Sequence, residues 1–334
     1  MSEPRVNAMG HVPVIDSLRG IAASMVCFYH FVCTTKDYIY NELTQELFHF
    51  GYYGVHVFFV ISGIVIPLSM IVGGYTYGGW FQFIKKRFIR IEPPYLFSIG
   101  LALAYLIGRN FIPGTSSVDL TPDLTTVALH IGYLIPFFDD YNWMNNVYWS
   151  LAVEFQYYLF LCLVFPLMIS VTAWKRVLTY PLFFFAALTT VQTTAYLPLW
   201  LPMFMVGISY VLYRFDYIKI TEFAILLVAS LFFTWYYIDL NAVLFGLGTL
   251  SLVHFAGQMR NAITKFFGRI SYSLYLIHTI VGSAFINYCS HIYREPWQKP
   301  IVIILGFAVA VICSYIMYLI IEKPSKRWAS RIKF

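Results

Sequence analysis

Ten runs of apolar residues, each roughly 17 to 25 long, limit what this chain can fold into, because a run of that length crosses a bilayer as a helix. They occupy 12–33, 51–72, 93–112, 147–171, 178–196, 197–213, 218–238, 240–256, 267–289 and 300–321. In hydrocarbon a chain must satisfy its own backbone hydrogen bonds, which a helix does within one segment. The runs predict an all-α, polytopic membrane protein of about ten transmembrane helices. They form one domain, 1–334, with short tails at 1–11 and 322–334. Charge supports this solvent: only 11% of residues are Asp, Glu, Lys or Arg, against about 25% in a soluble domain. The stretch 124–138 is apolar but short and ends at Pro136, so it reads as a re-entrant or interfacial piece.

Cations orient the bundle, since Lys and Arg collect in short cytoplasmic loops. Ten crossings with both termini in the cytoplasm put most of the 22 Lys and Arg residues on inside loops. Counting 124–138 as a crossing would reverse every later loop. The formal charge of +6 is therefore a matter of location and points to a bilayer, not to nucleic acid. The first run carries Asp16 and Arg19 and does not read as a removable signal peptide. The five cysteines have no zinc spacing and read as small buried hydrophobes, so no metal is expected. No phosphate-cradling glycine loop, HExxH or GxSxG elbow is present, which removes support for nucleotide hydrolysis and ordinary serine hydrolase chemistry.

Ionisable groups within membrane spans are costly and mark function by default. Arg19 and His30 are eleven residues apart, which returns to nearly the same helix face with about 16 Å of rise. Asp16 shares that stripe and can neutralise Arg19. In the fourth run Ser150 and Glu154 share a face that Tyr157 and Tyr158 continue. Glu154 then lies near the depth of His30, where a carboxylate and an imidazole can act as a base and its orienting partner. The plainer reading of these groups is an interfacial anchor and a hydrogen-bonded polar knot. Ser62 and Gly63 fit close helix packing, and His56 can join the polar cluster or sit at the interface. Lys85-Lys86-Arg87-Phe88-Ile89-Arg90 reads as a basic loop whose Arg87 and Arg90 point the same way, with Pro93-Pro94 setting the start of the next helix. Arg suits bidentate phosphate binding, although inside-loop bias also explains such a segment. Ser271, Tyr275 and His278 make one polar stripe, either a bonded core stripe or the lining of a cavity. Tyr52, Tyr53, Trp143, Tyr148 and Trp149 near the outer ends can stack on sugar rings or anchor the interface.

Taken in order, these motifs resemble the acyltransferase family 3 proteins across roughly residues 12 to 324. The likeness rests on Arg19-x10-His30, Phe58-Phe59-Val60-Ile61-Ser62-Gly63, and Arg87-x-x-Arg90 followed by Ile-x-Pro. It also rests on Tyr148-Trp149-Ser150-Leu151 through Glu154, the segment from Gly268 to His278, and Glu322-Lys323-Pro324. The resemblance implies an integral membrane O-acyltransferase, with acyl-CoA, acetyl above all, as co-substrate and no permanently bound cofactor. It makes His30 the general base, with Arg19 and Glu154 as further catalytic residues and Arg87, Arg90 and Lys86 at the donor phosphates. Trp149, Ser150, Asp16, Ser62, Gly63, Tyr275 and His278 shape the acceptor site or its frame. The implied acceptor is a bacterial surface polysaccharide, such as O-antigen or exopolysaccharide, or a lipid-linked sugar, reached from the inner membrane. A non-carbohydrate acceptor, a covalent acyl-histidine and a secondary transporter are the alternatives. The transporter predicts inverted repeats with matching broken helices, which the sequence lacks. Two residues depart from the family pattern: His56 stands where an acidic or another polar residue is common, and Glu92 stands where an aromatic is common and adds a negative charge beside the proposed phosphate site.

Overall fold

The computed structural model describes residues 12–35, 38–39, 41–109, 121–184, 194–259 and 261–334, and every regular element among them is helical. α1 (Pro13–Cys33) leads through α2 (Glu42–His49) and a 3-10 turn, Phe50–Tyr53, into α3 (Gly54–Val72) and α4 (Trp80–Arg109). α5 (Leu124–Ile131) precedes α6 (Tyr148–Met168), and the short α7 (Ala173–Val177) and α8 (Tyr180–Phe184) follow. Next come α9 (Leu197–Arg214), α10 (Ile220–Tyr237), α11 (Leu240–Phe255) and α12 (Ala262–Ile277). A π-helical turn, His278–Ser283, joins α12 to α13 (Ala284–Ser290). α14 (Gln298–Met317) passes through a second π turn, Tyr318–Glu322, into α15 (Lys323–Ser330).

Helix starts follow the capping residues in the sequence. Asn41, Asp123, Asp239 and Asn261 each accept a hydrogen bond from a backbone N–H two or three residues on. At Asp123 the Thr126 hydroxyl also donates, and these bonds hold the carboxyl below the usual range.

Among the described residues seven helical stretches are long and apolar enough to cross a membrane. Two more helices, α1 with 21 residues and α11 with 16, fall on the first and eighth apolar runs. The tail 1–11 and residues 185–193 of the fifth run lie outside the described residues. The helices are clad in exposed apolar side chains, with Ile225, Val228, Phe232, Trp235 and Tyr236 lining the outer side of α10. Such a surface suits lipid as the solvent. α5, with eight residues, spans about 12 Å and is too short to cross.

The basic segment departs from expectation. Lys85 to Arg90 lie inside α4, which runs 30 residues straight through Pro93 and Pro94. Proline removes a backbone donor and disfavours a helix interior, yet α4 continues through both and packs against α15. At about 45 Å it is longer than a hydrocarbon core of ~30 Å, so its cationic first turns lie beyond the apolar part. The segment 322–334 is likewise no loose tail: α15 packs on α4, and the Phe334 ring meets Tyr75 and Phe83.

Candidate active site

Two helix crossings build the site, and small residues allow both. α1 meets α12 where a methyl at Gly268 would press on the carbonyl of Asp16, and one at Gly20 would lie 2.7 Å from the Gly268 nitrogen. α3 meets α9 where Cβ atoms at Gly63 and Gly207 would strike the carbonyls of Phe204 and Val60. Glycine permits this approach because it presents no side chain. Asp16 thus serves the frame through its backbone.

Between these helices lie three cavities in file. The widest, about 300 Å³, is lined by Tyr29, His30, Tyr52, Trp143, Trp149 and Tyr275 among others. The second, about 60 Å³, is lined by Arg19, Ser62, Ser150, Glu154, Ser271 and Tyr272, and it shares Val55 and Tyr275 with the first. The third, about 40 Å³, adds Arg87, Arg90, Tyr158 and Lys326, and it shares Arg19, Ser62, Glu154 and Tyr272 with the second. Small-molecule sites run roughly 300–1,000 Å³, so the two inner cavities are constrictions on a path and the first is a chamber.

The Arg19–His30 stripe is visible as such: Arg19 faces the two inner cavities and His30 the chamber. Glu154 is not brought to His30. Its carboxylate accepts hydrogen bonds from Ser62, at 3.3 Å, and from the Tyr158 hydroxyl, and it lines the inner cavities beside Arg19. The ring that meets His30 from another helix element is that of His278, with centroids 5.2 Å apart. Ser150 donates to the Val147 carbonyl at 3.1 Å and shares a 2.6 Å hydrogen bond with the Tyr275 hydroxyl. Ser271 caps back onto the Gly268 carbonyl at 2.9 Å. The polar stripe is therefore bonded core and cavity lining at once.

At the other end, Arg87 is buried, donates to the Ser69 hydroxyl, and packs over the Phe83 and Tyr158 rings at 5.4 and 5.8 Å. Its Nε has no hydrogen-bond partner among the described residues. Lys86 turns elsewhere and sits 4.8 Å over the Phe334 ring, outside the cavity lining. Glu92 does not border that cavity either; it accepts from the Tyr133 hydroxyl at 2.9 Å. Lys326, read from the sequence as part of a tail, takes the place expected for Lys86. It pairs with buried Glu322 at 2.5 Å, and Glu322 also accepts from the Ser273 backbone and hydroxyl at 3.1 and 2.6 Å. A buried glutamate one turn before a lysine was the available signal, since such a carboxylate needs a cation.

His56 does not join the cavities. It is buried within the Tyr52, Tyr53 and Trp200 rings at 5.0 to 5.3 Å. Of the outer aromatics, Tyr52, Trp143 and Trp149 line the chamber, and Trp149 stacks on Trp200 at 5.3 Å. Tyr53 and Tyr148 are hydrogen-bonded to Asp239 and Ser98 instead. Among the described residues no group of three His, Cys, Asp or Glu is gathered to hold a metal ion.

The chain matches the acyltransferase domain of acyltransferase family 3 over residues 12–319 and belongs to that family. It is also similar to proteins of Staphylococcus aureus strains COL, MSSA476 and MRSA252, each provisionally named an O-acetyltransferase. Identity is 26% over 371 aligned positions, covering 96% of this chain and 58% of each relative, so the chain spans less than two thirds of their length. No solved structure matches it significantly.

Proposed function

We propose that this protein is a membrane O-acyltransferase that moves an acyl group, acetyl in the first instance, from acyl-CoA to a hydroxyl of a cell-surface or lipid-linked carbohydrate. In this reading one domain of ten spans crosses a bacterial inner membrane with both ends in the cytoplasm. Acyl-CoA is a co-substrate that arrives from that side. The observation that supports it is the file of cavities leading from Arg87, Arg90 and Lys326, past Arg19 and Glu154, to His30.

Three cations at the inner mouth suit the donor's phosphates, Arg through a planar fork and Lys as a point charge. The thioester arm then extends along the file, displacing the side chains that narrow it. In the chamber the acceptor hydroxyl attacks the thioester carbonyl while His30 removes its proton. The tetrahedral intermediate collapses by breaking the C–S bond, and the departing thiolate takes the proton back from His30. An ester and free coenzyme A are the products, and the enzyme returns to its starting state. Trp149, Tyr52 and Trp143 offer ring faces to a sugar.

Purified protein in nanodiscs, given acetyl-CoA and an oligosaccharide acceptor, tests this by thiol release and by mass spectrometry of the ester. His30→Ala is expected to lower the rate by about 10²–10⁴-fold, the range that a general base supplies. Transfer at the normal rate in that variant refutes the role of His30.

A further inference from the structure

The geometry points to His278 as the residue that positions His30, holding its imidazole in the tautomer a base requires; the inference rests on the acyltransferase reading above. His278 is fully buried at the first position of the π turn His278–Ser283. Its Nδ1 lies 3.0 Å from the Leu274 carbonyl and 2.9 Å from the Tyr275 carbonyl. Carbonyl oxygens only accept, so Nδ1 carries the ring proton and Nε2 keeps a bare lone pair. That Nε2 is buried and has no hydrogen-bond partner among the described residues. Buried acceptors without partners are rare and call for an explanation.

His30 supplies one. Its ring centroid is 5.2 Å from that of His278, with the planes at 49°. At that separation two imidazoles with nitrogens facing each other leave about 3 Å between them, a hydrogen-bond length. Rotation of the His30 ring lets one N–H donate to His278 Nε2 and turns its other nitrogen, unprotonated, toward the chamber. When His30 takes the acceptor's proton it carries two N–H groups, and His278 accepts from one while staying neutral. The proton then leaves His30 with the thiolate, so His278 neither gains nor loses one.

Among the described residues the other titratable groups facing His30 are Tyr29 on its own helix, at 5.0 Å between rings, and Tyr52 and Tyr275 around the chamber. Among the described residues no carboxylate lines that chamber, and Glu154 is engaged by Ser62 and Tyr158. The π turn is itself pinned: the Asn145 amide donates to the Leu276 carbonyl at 3.0 Å, and the Thr279 hydroxyl donates to Asn145 at 2.8 Å. Widened helical turns of this kind occur often at functional sites.

The test compares His278→Phe, which keeps the ring shape but has no acceptor, with His278→Gln, whose amide oxygen can stand where Nε2 does. His278→Phe is expected to lower kcat by about 10–100-fold, part of the general-base contribution, with KM for acyl-CoA unchanged. Losing the acceptor destabilises the His30 imidazolium, so the rise of kcat/KM with pH moves to lower pH. His278→Gln restores part of both. Independently of turnover, the ¹⁵N resonance of His278 Nε2 in bilayers should report an accepted hydrogen bond that His30→Ala removes. Wild-type kcat and pH profile in His278→Phe, a loss that His278→Gln does not restore, or a resonance indifferent to His30→Ala overturns the inference. An inactive His30→Ala beside a normal His278→Phe sinks only this step, whereas a fully active His30→Ala sinks the acyltransferase site itself.

Discussion

The crossing of α1 with α12 sets His30 on α1 against His278 in the π turn that follows α12, so it offers a way to disturb the site without touching it. In Gly268→Ala the new Cβ would press on the Asp16 carbonyl oxygen, 2.7 Å from its carbon and 3.1 Å from its Cα. Carbon atoms rest at roughly 3.5–4.0 Å, and these are backbone atoms that cannot rotate away. The helices must part by about 1 Å. Overpacking of this kind costs about 1–3 kcal/mol, and a 1 Å misplacement of reacting groups can cost about 10²-fold in rate. Thermal unfolding in nanodiscs reads the first quantity and kcat for acyl transfer the second. Gly100→Ala in α4 and Gly248→Ala in α11 are the controls, because a Cβ at either meets nothing within 4 Å. Both are expected to retain full activity and to gain at most about 1 kcal/mol from helix propensity. If Gly268→Ala matches wild type in both melting and kcat while folded in the membrane, the close approach does not set the site.

Two further outcomes follow from the inner mouth. Arg90→Ala removes a cation that lines the third cavity; a charge-assisted hydrogen bond is worth about 1.5–3 kcal/mol. KM for acyl-CoA should therefore rise about 10–100-fold with a much smaller fall in kcat, and an unchanged KM removes Arg90 from the donor site. Lys326→Met leaves Glu322 buried without its cation, a change that costs roughly 3–5 kcal/mol when a buried pair is broken. Lys326 is 32% exposed, so the lower end applies. Adding Glu322→Gln should recover part of the lost melting temperature, and a double variant no more stable than Lys326→Met alone would refute the pairing.

Much of the site was legible because helical geometry is local. The eleven-residue spacing of Arg19 and His30 needs only the pitch of a helix to predict one stripe, and both do face the same file of cavities. The basic segment misled because two prolines in a row read as a boundary, whereas α4 continues through both.

Depth along a span was the weaker guide. It put Glu154 beside His30, yet two groups at one depth meet only if their helices turn those faces together, and Glu154 turned to Ser62 and Tyr158. Likewise nothing in the order of residues set His278 next to His30 or Lys326 beside Arg87. From the sequence alone come the membrane as solvent, the helical class and the residues too polar to be there by chance, because apolar length, periodicity and charge are properties of single segments. Which of those residues share a cavity was decided by tertiary structure, through crossings such as Gly20 on Gly268 and Gly63 against α9. A helix carries its own period wherever it goes, but the face it offers a neighbour depends on surfaces that the chain brings together from hundreds of residues apart.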